Sequence, residues 1–473
     1  MKILTSIQPG KVKINTALIA VIQNNNQITY LELSSIVGKT AHFLNKKGIK
    51  ENDITALLSK NSWEFIVSIL ALWEIGAVPV ALNTKLLSKD LEEQIGFLNP
   101  NSVIKSKSIN NISLQKKNII IPFDDLPEDE YETKITDFSK QKTALILFTS
   151  GASGKPKAVT LSFENLIQSA LTGKKVLNQT SDDKWLASLP FYHIGGFSII
   201  FRALMFGTSI IIPDSLSKDD LIQSINRYKP TLASLVSNQL KKFVDSDFMP
   251  PKELRTVLLG GGFFHTDLIL KAIDKGWKIA KVYGSTETSS FVSFMNYEEL
   301  KRKPGASGKT IPPNKIIITD EGEIAVQSHT VMKGYYNNDE ETFSRLKNDF
   351  YYSGDQGYID DEGYLFVEAR RNDLIVSGGE NINPVEVENI ILLNSKIKEA
   401  CVVGIENKQW GQIVAAAIVV KENEKLSEID LINYLKERLA SFKIPKKIIF
   451  IDQLPKSELG KVIREKVREL LIV

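Results

Sequence analysis

Short apolar runs alternate with segments of helical period between residues 54 and 283, and few folds accommodate that alternation. The run Ile54–Leu58 reads as a strand, residues 63–73 as a helix and residues 77–82 as the next strand. Just upstream, Leu33, Ile36, Val37, Ala41 and Leu44 recur at three- and four-residue steps, the stripe of an amphipathic helix. Further strands are read at 144–148, 185–188, Ser209–Ile212, 233–236, Thr256–Leu259 and Ile279–Tyr283. Strands this uniformly apolar are buried on both faces, and parallel neighbours need a crossover that a helix supplies. The expected class is therefore α/β, a large N-terminal domain of layered sheets and helices.

After Pro304 the texture changes, and residues 316–319 and 323–326 are expected to form antiparallel strands. A strand expected to end at Phe366-Val367 gives way to Arg370-Arg371-Asn372-Asp373. Beyond it lies an α+β tail of about 100 residues, large enough to fold alone. We therefore expect a large domain over residues 1–371 and a small mobile C-terminal domain over 372–473. In the tail, Ser427-Glu428-Ile429-Asp430 reads as a capping box ahead of a helix at 431–439.

Charge and cysteine content narrow the function. Lys plus Arg is 59 against 56 for Asp plus Glu, a net charge of +3, so no bulk field favours nucleic acid and any phosphate binding has to be local. Cys401 is the only cysteine, which rules out an intrachain disulfide and a cysteine metal cluster. His42, His193, His265 and His329 lack metal-ligand spacing. The N-terminus has no signal-peptide run, and the apolar stretch 197–213 contains Arg202 and Gly207 and falls short of the roughly 20 residues a membrane span needs. That stretch reads as a buried helix turning into a strand. The expected protein binds no nucleic acid, has no integral membrane segment and is cytoplasmic.

The strand ending at Phe148 runs into Thr149-Ser150-Gly151-Ala152-Ser153-Gly154-Lys155-Pro156-Lys157. Glycines let backbone amides approach an anion, hydroxyls donate to phosphate oxygens, and the two lysines add charge. A Walker A loop is excluded, because the glycines are too close together and Pro156 follows Lys155. Composition alone leaves a solvated Gly/Ser turn open as well.

With this loop, five more segments occur in order: Tyr283-Gly284-Ser285-Thr286-Glu287, Tyr352-Ser353-Gly354-Asp355, Arg370 with Asp373, Ser377-Gly378-Gly379-Glu380-Asn381, and Gly460-Lys461. Together they resemble the adenylate-forming acyl-CoA synthetase family over most of the chain. The resemblance implies an enzyme that activates a small-molecule carboxylic acid with ATP and Mg2+, then passes the acyl group from an acyl-adenylate to coenzyme A. It implies that Lys461 bridges the carboxylate and nucleotide, that Glu287 holds the metal ion, and that Thr286 donates to the α-phosphate. Thr149, Ser150, Gly151, Ser153, Gly154, Lys155 and Lys157 would cradle phosphates. Gly260, Gly261 and Gly262 would lie flat against the adenine, with Tyr283 on its other face and Gly284 beside it; a plain turn explains the glycines equally well. Asp355 would accept the ribose hydroxyls, and Arg370 would reach the same sugar or a phosphate; alone, Ser-Gly-Asp reads as a turn.

His193, inside Leu189-Pro190-Phe191-Tyr192-His193-Ile194-Gly195-Gly196-Phe197, would border the acyl pocket and orient the acid together with Ser285. Gly378 and Gly379 would line a pantetheine tunnel after rotation about a hinge at Asn372, where many relatives carry Asp or Lys. Ala152 also departs from the pattern, since a hydroxyl residue is usual there. Residues 190–200, 258–262, Thr288-Ser289-Ser290 and 370–382 are most similar to the members of the family that act on o-succinylbenzoate for menaquinone biosynthesis. That acid keeps a second carboxylate after activation, which a buried pocket has to pair, and Arg202 is the candidate partner. A surface Arg packing its stem on apolar neighbours is the alternative. Ligation of another aromatic or fatty acid, or loading of a carrier protein, stays open. The acceptor thiol belongs to a substrate, so Cys401 is expected to be a bystander.

Overall fold

Apolar alternation becomes four sheets in a computed structural model that describes residues 15–106, 109, 118–120, 139–149, 157–262, 264–370, 373, 375–377, 380–407, 410–439, 441–457 and 460–472. A nine-stranded sheet has parallel strands in its middle, in the order Ile279–Tyr283, Thr256–Leu259, Leu232–Leu235, Lys184–Leu186, Ser209–Ile212 and Ile19–Gln23. Its chain path turns outward one way from Lys184–Leu186 to Ser209–Ile212, then recrosses to Leu232–Leu235 on the other side. In an open parallel sheet such a reversal leaves a crevice beyond the carboxyl ends of the strands, where ligands bind. A seven-stranded sheet is built on Val78–Ala81, Ile54–Leu58 and the hairpin Thr143–Thr149 with Lys157–Ser162.

One apolar core joins these two sheets through the helices Tyr30–Lys46, Trp63–Ile75, Phe163–Leu177 and Ile194–Phe206. The second and fourth are apolar nearly all round, as helices enclosed on every side must be. Trp73 anchors their packing: its ring meets Phe163, Phe197 and Phe201 edge-on, and its indole N–H donates to Ala144 O at 2.7 Å. Truncating such a side chain costs roughly 3–5 kcal/mol. The expected buried helix and following strand within 197–213 are present as Ile194–Phe206 and Ser209–Ile212.

Beyond Pro304 the strands Lys315–Ile318, Glu323–Gln327 and Phe350–Ile359 are antiparallel, as expected. Leu365–Arg370 pairs with Phe350–Ile359 and runs three residues past the expected end at Val367. Glu368 in that extension is exposed, as the edge strand of an antiparallel sheet allows. A fourth sheet contains Ile375–Ser377, Glu380–Ile382, Ile397–Asn407, Gly411–Val420 and Lys447–Phe450, with its own apolar clusters on its two faces. The tail helix is Glu428–Lys436, not 431–439: Ser427 is itself the N-cap, accepting the Asp430 N–H, so the capping residues form the first turn. No helix among the described residues is long and apolar enough to cross a membrane.

Candidate active site

Four loops leave the same carboxyl edge of the nine-stranded sheet, and the expected site residues lie on three of them. The first follows Lys184–Leu186 at the chain reversal and leads to His193, which caps the helix Ile194–Phe206. Asn61 holds this segment, donating to Leu189 O at 2.8 Å and accepting the Phe191 N–H at 2.9 Å. Gly196 has no alternative, because a Cβ there would lie 2.1 Å from Pro190 O. Burial, with Lys85 adding to it, pushes His193 down to about 4, so its imidazole is neutral at neutral pH. A neutral ring beside Tyr192, 4.8 Å between centroids, suits orientation of an acid better than proton transfer.

The second loop is Gly260–Gly262, after Thr256–Leu259. A Cβ on Gly260 would meet Val282 Cγ1 at 2.9 Å, Gly261 has φ +76°, and nothing lies within 4 Å of a Cβ on Gly262. The loop thus presents bare backbone outward while packing tightly inward. The third loop, after Ile279–Tyr283, is a tight turn in which Ser290 N–H donates to Ser285 O at 3.0 Å. A Cβ on Gly284 would lie 1.8 Å from Ser290 O, so only glycine admits that turn. The turn, which carries Ser285, Thr286 and Glu287, is clipped to the helix Phe163–Leu177 by Ser169, whose hydroxyl donates to Ser289 O. Ser285 Oγ is buried with no partner among the described residues.

The remaining groups arrive from other sheets. Asp355 accepts from the Tyr283 hydroxyl at 2.9 Å and sits opposite Arg370 in register. Gly354, at φ +76° inside the strand Phe350–Ile359, lies where the pairing with Glu323–Gln327 shifts register, and its N–H donates to Glu323 Oε1 at 2.8 Å. Thr149 and Lys157 close the mouth of the phosphate-loop hairpin, with Thr149 Oγ1 donating to Lys157 O at 3.4 Å. The Lys157 ammonium pairs with Glu341 and lies 5.4 Å from the centre of the Tyr335 ring. Ser150, Gly151, Ser153, Gly154, Lys155, Asn372, Gly378 and Gly379 lie outside the described residues, as does the Arg370 side chain.

Lys461 is exposed on a turn closed by Ser457, whose N–H donates to Lys461 O at 2.7 Å and whose hydroxyl accepts the Lys461 N–H at 3.2 Å. That turn docks beside the fourth loop of the sheet edge. A Cβ on Gly460 would lie 2.3 Å from Asn238 Nδ2 and 2.4 Å from the Asn238 Cβ, in the helix Ser237–Val244 that follows Leu232–Leu235. A second bridge joins His265 Nδ1 to Asn389 Oδ1 at 2.8 Å; the amide oxygen only accepts, so Nδ1 carries the proton. Neither Asn238 nor Asn389 stands out in the sequence, since single polar helix residues carry no periodic signal.

Arg202 is no surface residue. It is 2% exposed in the main core, with its guanidinium 4.9 Å from the Trp185 ring centre and 5.0 Å from that of Phe291. Its Nε and Nη1 have no hydrogen-bond partner among the described residues. Burial pulls its pKa down to about 9, which still leaves it a cation at neutral pH. Phe291 directly follows the Ser285–Ser290 turn, so this cation packs against the residue next to that turn. Cys401 is buried, and burial pushes its thiol up to about 12, which keeps it an unreactive thiol.

Known proteins resemble the chain over nearly its whole length. The model of the AMP-binding enzyme family matches residues 11–336, and that of the AMP-binding enzyme C-terminal domain matches 386–461. The chain is 33% identical over 467 residues to 2-succinylbenzoate–CoA ligase of Bacillus subtilis (strain 168), covering 95% of each. It is also similar to two solved structures of o-succinylbenzoate CoA synthetase from Bacillus subtilis. The complex with the acyl-adenylate intermediate matches with a TM-score of 0.89 at 31% identity, covering 98% of this chain and 97% of the other. The complex with ATP and magnesium ion matches with a TM-score of 0.89 at 30% identity, covering 99% of both.

Proposed function

The chain belongs to the AMP-binding enzyme family, and from that premise we propose that it joins 2-succinylbenzoate to coenzyme A through an acyl-adenylate, in menaquinone biosynthesis. The near full-length likeness to curated 2-succinylbenzoate–CoA ligases carries this reading, and the buried unpaired Arg202 supports it. In the first step a carboxylate oxygen bonds to the α-phosphorus of ATP and pyrophosphate leaves. In the second, the thiol of coenzyme A attacks the acyl carbonyl, loses its proton, and AMP leaves. Both partners in the first step are anionic, so cations and oriented donors placed where charge accumulates lower the barrier.

Thr286 and the Thr149–Lys157 loop are the donors to the phosphates in this reading, and Lys461 is the mobile cation across carboxylate and nucleotide. Asp355, steadied by Tyr283, accepts from the ribose hydroxyls, and Arg370 donates to the same sugar or to a phosphate; Gly260–Gly262 and Tyr283 flank the base. Glu287 fits a magnesium ion: it is a hard oxygen donor, and with no cluster of three or more metal-binding side chains among the described residues, phosphates and water would complete the ion's ligand set. Bound there, magnesium would neutralise charge on the transferring phosphates. His193 and Ser285 orient the acid, and Arg202 pairs its second carboxylate. Rotation of residues 372–473 about Asn372 would replace Lys461 by Gly378 and Gly379 at the same site for the thiol step. A panel of succinyl-aromatic, aromatic and aliphatic acids scored for ATP- and CoA-dependent AMP release tests the assignment; preference for an acid without a second carboxylate would overturn it.

A further inference from the structure

Glu287 does not hold its own position: its carboxylate accepts a hydrogen bond from the Tyr335 hydroxyl, 3.1 Å from Oε1, and its backbone oxygen accepts the Met332 N–H at 2.7 Å. We infer that Tyr335 is the positioning residue of the cation-binding carboxylate, holding Oε1 so that Oε2 meets the divalent ion. The inference rests on the reading of Glu287 as metal ligand and adds a residue to it.

Tyr335 is built to be immobile. It lies in the two-residue strand Gly334–Tyr335, opposite Val159 in the strand that Lys157 begins. Its own N–H donates to Thr342 Oγ1 at 2.9 Å, and its ring is covered by the Lys157 ammonium. An ionised carboxylate can only accept, so the phenol is the donor.

The neighbours explain why the tyrosine sits there. The helix Asp339–Arg345 contributes Glu341 to Lys157, Thr342 to Tyr335, and Arg345, whose Nη1 is 3.8 Å from Glu323 Oε1. Glu323 in turn accepts the Gly354 N–H beside Asp355. One short helix thus braces the phosphate-loop hairpin, the metal carboxylate and the ribose carboxylate together. A partner that orients a ligating carboxylate typically accounts for 10–100-fold in metal affinity.

The test is Mn2+ binding to the full chain, followed by electron paramagnetic resonance in the presence of a non-hydrolysable ATP analogue. Y335F keeps the ring and removes only the donor; we expect Mn2+ affinity to fall about 10-fold or more, with excess Mg2+ restoring turnover and the KM for the acid unchanged. Unaltered Mn2+ affinity in a folded Y335F protein overturns the inference. E287Q run alongside separates the two levels: if it too leaves Mn2+ affinity intact, the metal assignment of Glu287 itself fails. Should Y335F not fold, E287D, which keeps the charge but withdraws it from the phenol, has to lose affinity as well, and unchanged binding there overturns the inference.

Discussion

Two arginines, one in each part of the molecule, show how differently the two parts are finished. Arg464, on the helix Arg464–Ile472 that follows the Lys461 turn, donates from Nη1 and Nη2 to Glu388 at 2.6 and 2.9 Å. It also reaches Val402 O and lies 3.7 Å from Asp373 beside the expected hinge. Arg202 is more deeply buried, and its guanidinium lies against the Trp185 and Phe291 rings. Arg464 is thus paired within the C-terminal part, whereas Arg202 Nε and Nη1, in the large part, have no hydrogen-bond partner among the described residues.

Removing Lys461 tests that division most severely. Lys461→Ala should lower adenylate formation by about three orders of magnitude or more, while thioester formation from supplied acyl-adenylate stays near wild type. Equal loss of both half-reactions would mean that the C-terminal part does not merely deliver a cation. Arg464→Met comes next: it strands the buried Glu388 carboxylate and should cost about 3 kcal/mol of stability by chemical denaturation. The same change at the other arginine, Arg202→Met, strands nothing and should leave the denaturation midpoint unchanged or raised. A matching loss at both positions would erase the contrast.

Activity should reverse the order seen in stability. Arg202→Ala should raise the KM for 2-succinylbenzoate by about 10–100-fold relative to benzoate, the worth of a charge-assisted hydrogen bond. An unchanged ratio removes Arg202 from the acid pocket. The smallest effect expected is at the docking contact. Gly460→Ala meets Asn238 and is strained at φ +73°, so adenylation should fall about 10-fold, with partial recovery in the Gly460→Ala/Asn238→Gly double variant. Absence of recovery would locate the defect in the turn itself.

Much of the fold was legible because burial on two faces leaves a local mark. The strands at Ile54–Leu58, Ser209–Ile212, Thr256–Leu259 and Ile279–Tyr283 are where the apolar runs place them. Element ends were less legible: the cap at Ser427 competes with the helical period for the start of its helix, and Leu365–Arg370 continues through the exposed Glu368. The steric need for glycine at positions 196 and 284 comes from backbone that packs against them, Pro190 O and Ser290 O.

Pairings between distant segments left no such mark. Nothing near Glu287 announces Tyr335, and Lys157 gives no hint in one dimension that Glu341, far along the chain, claims its ammonium. Local periodicity and steric need are properties of a few neighbouring residues, so the chain spells out its elements and the chemistry of each loop. Whether a charge inside a loop or helix is paired, buried or waiting for a ligand depends on which sheet edge lies opposite it. Only the packed tertiary structure decided that Arg464 is satisfied and Arg202 is not, because desolvation and partner geometry exist only once distant segments have met.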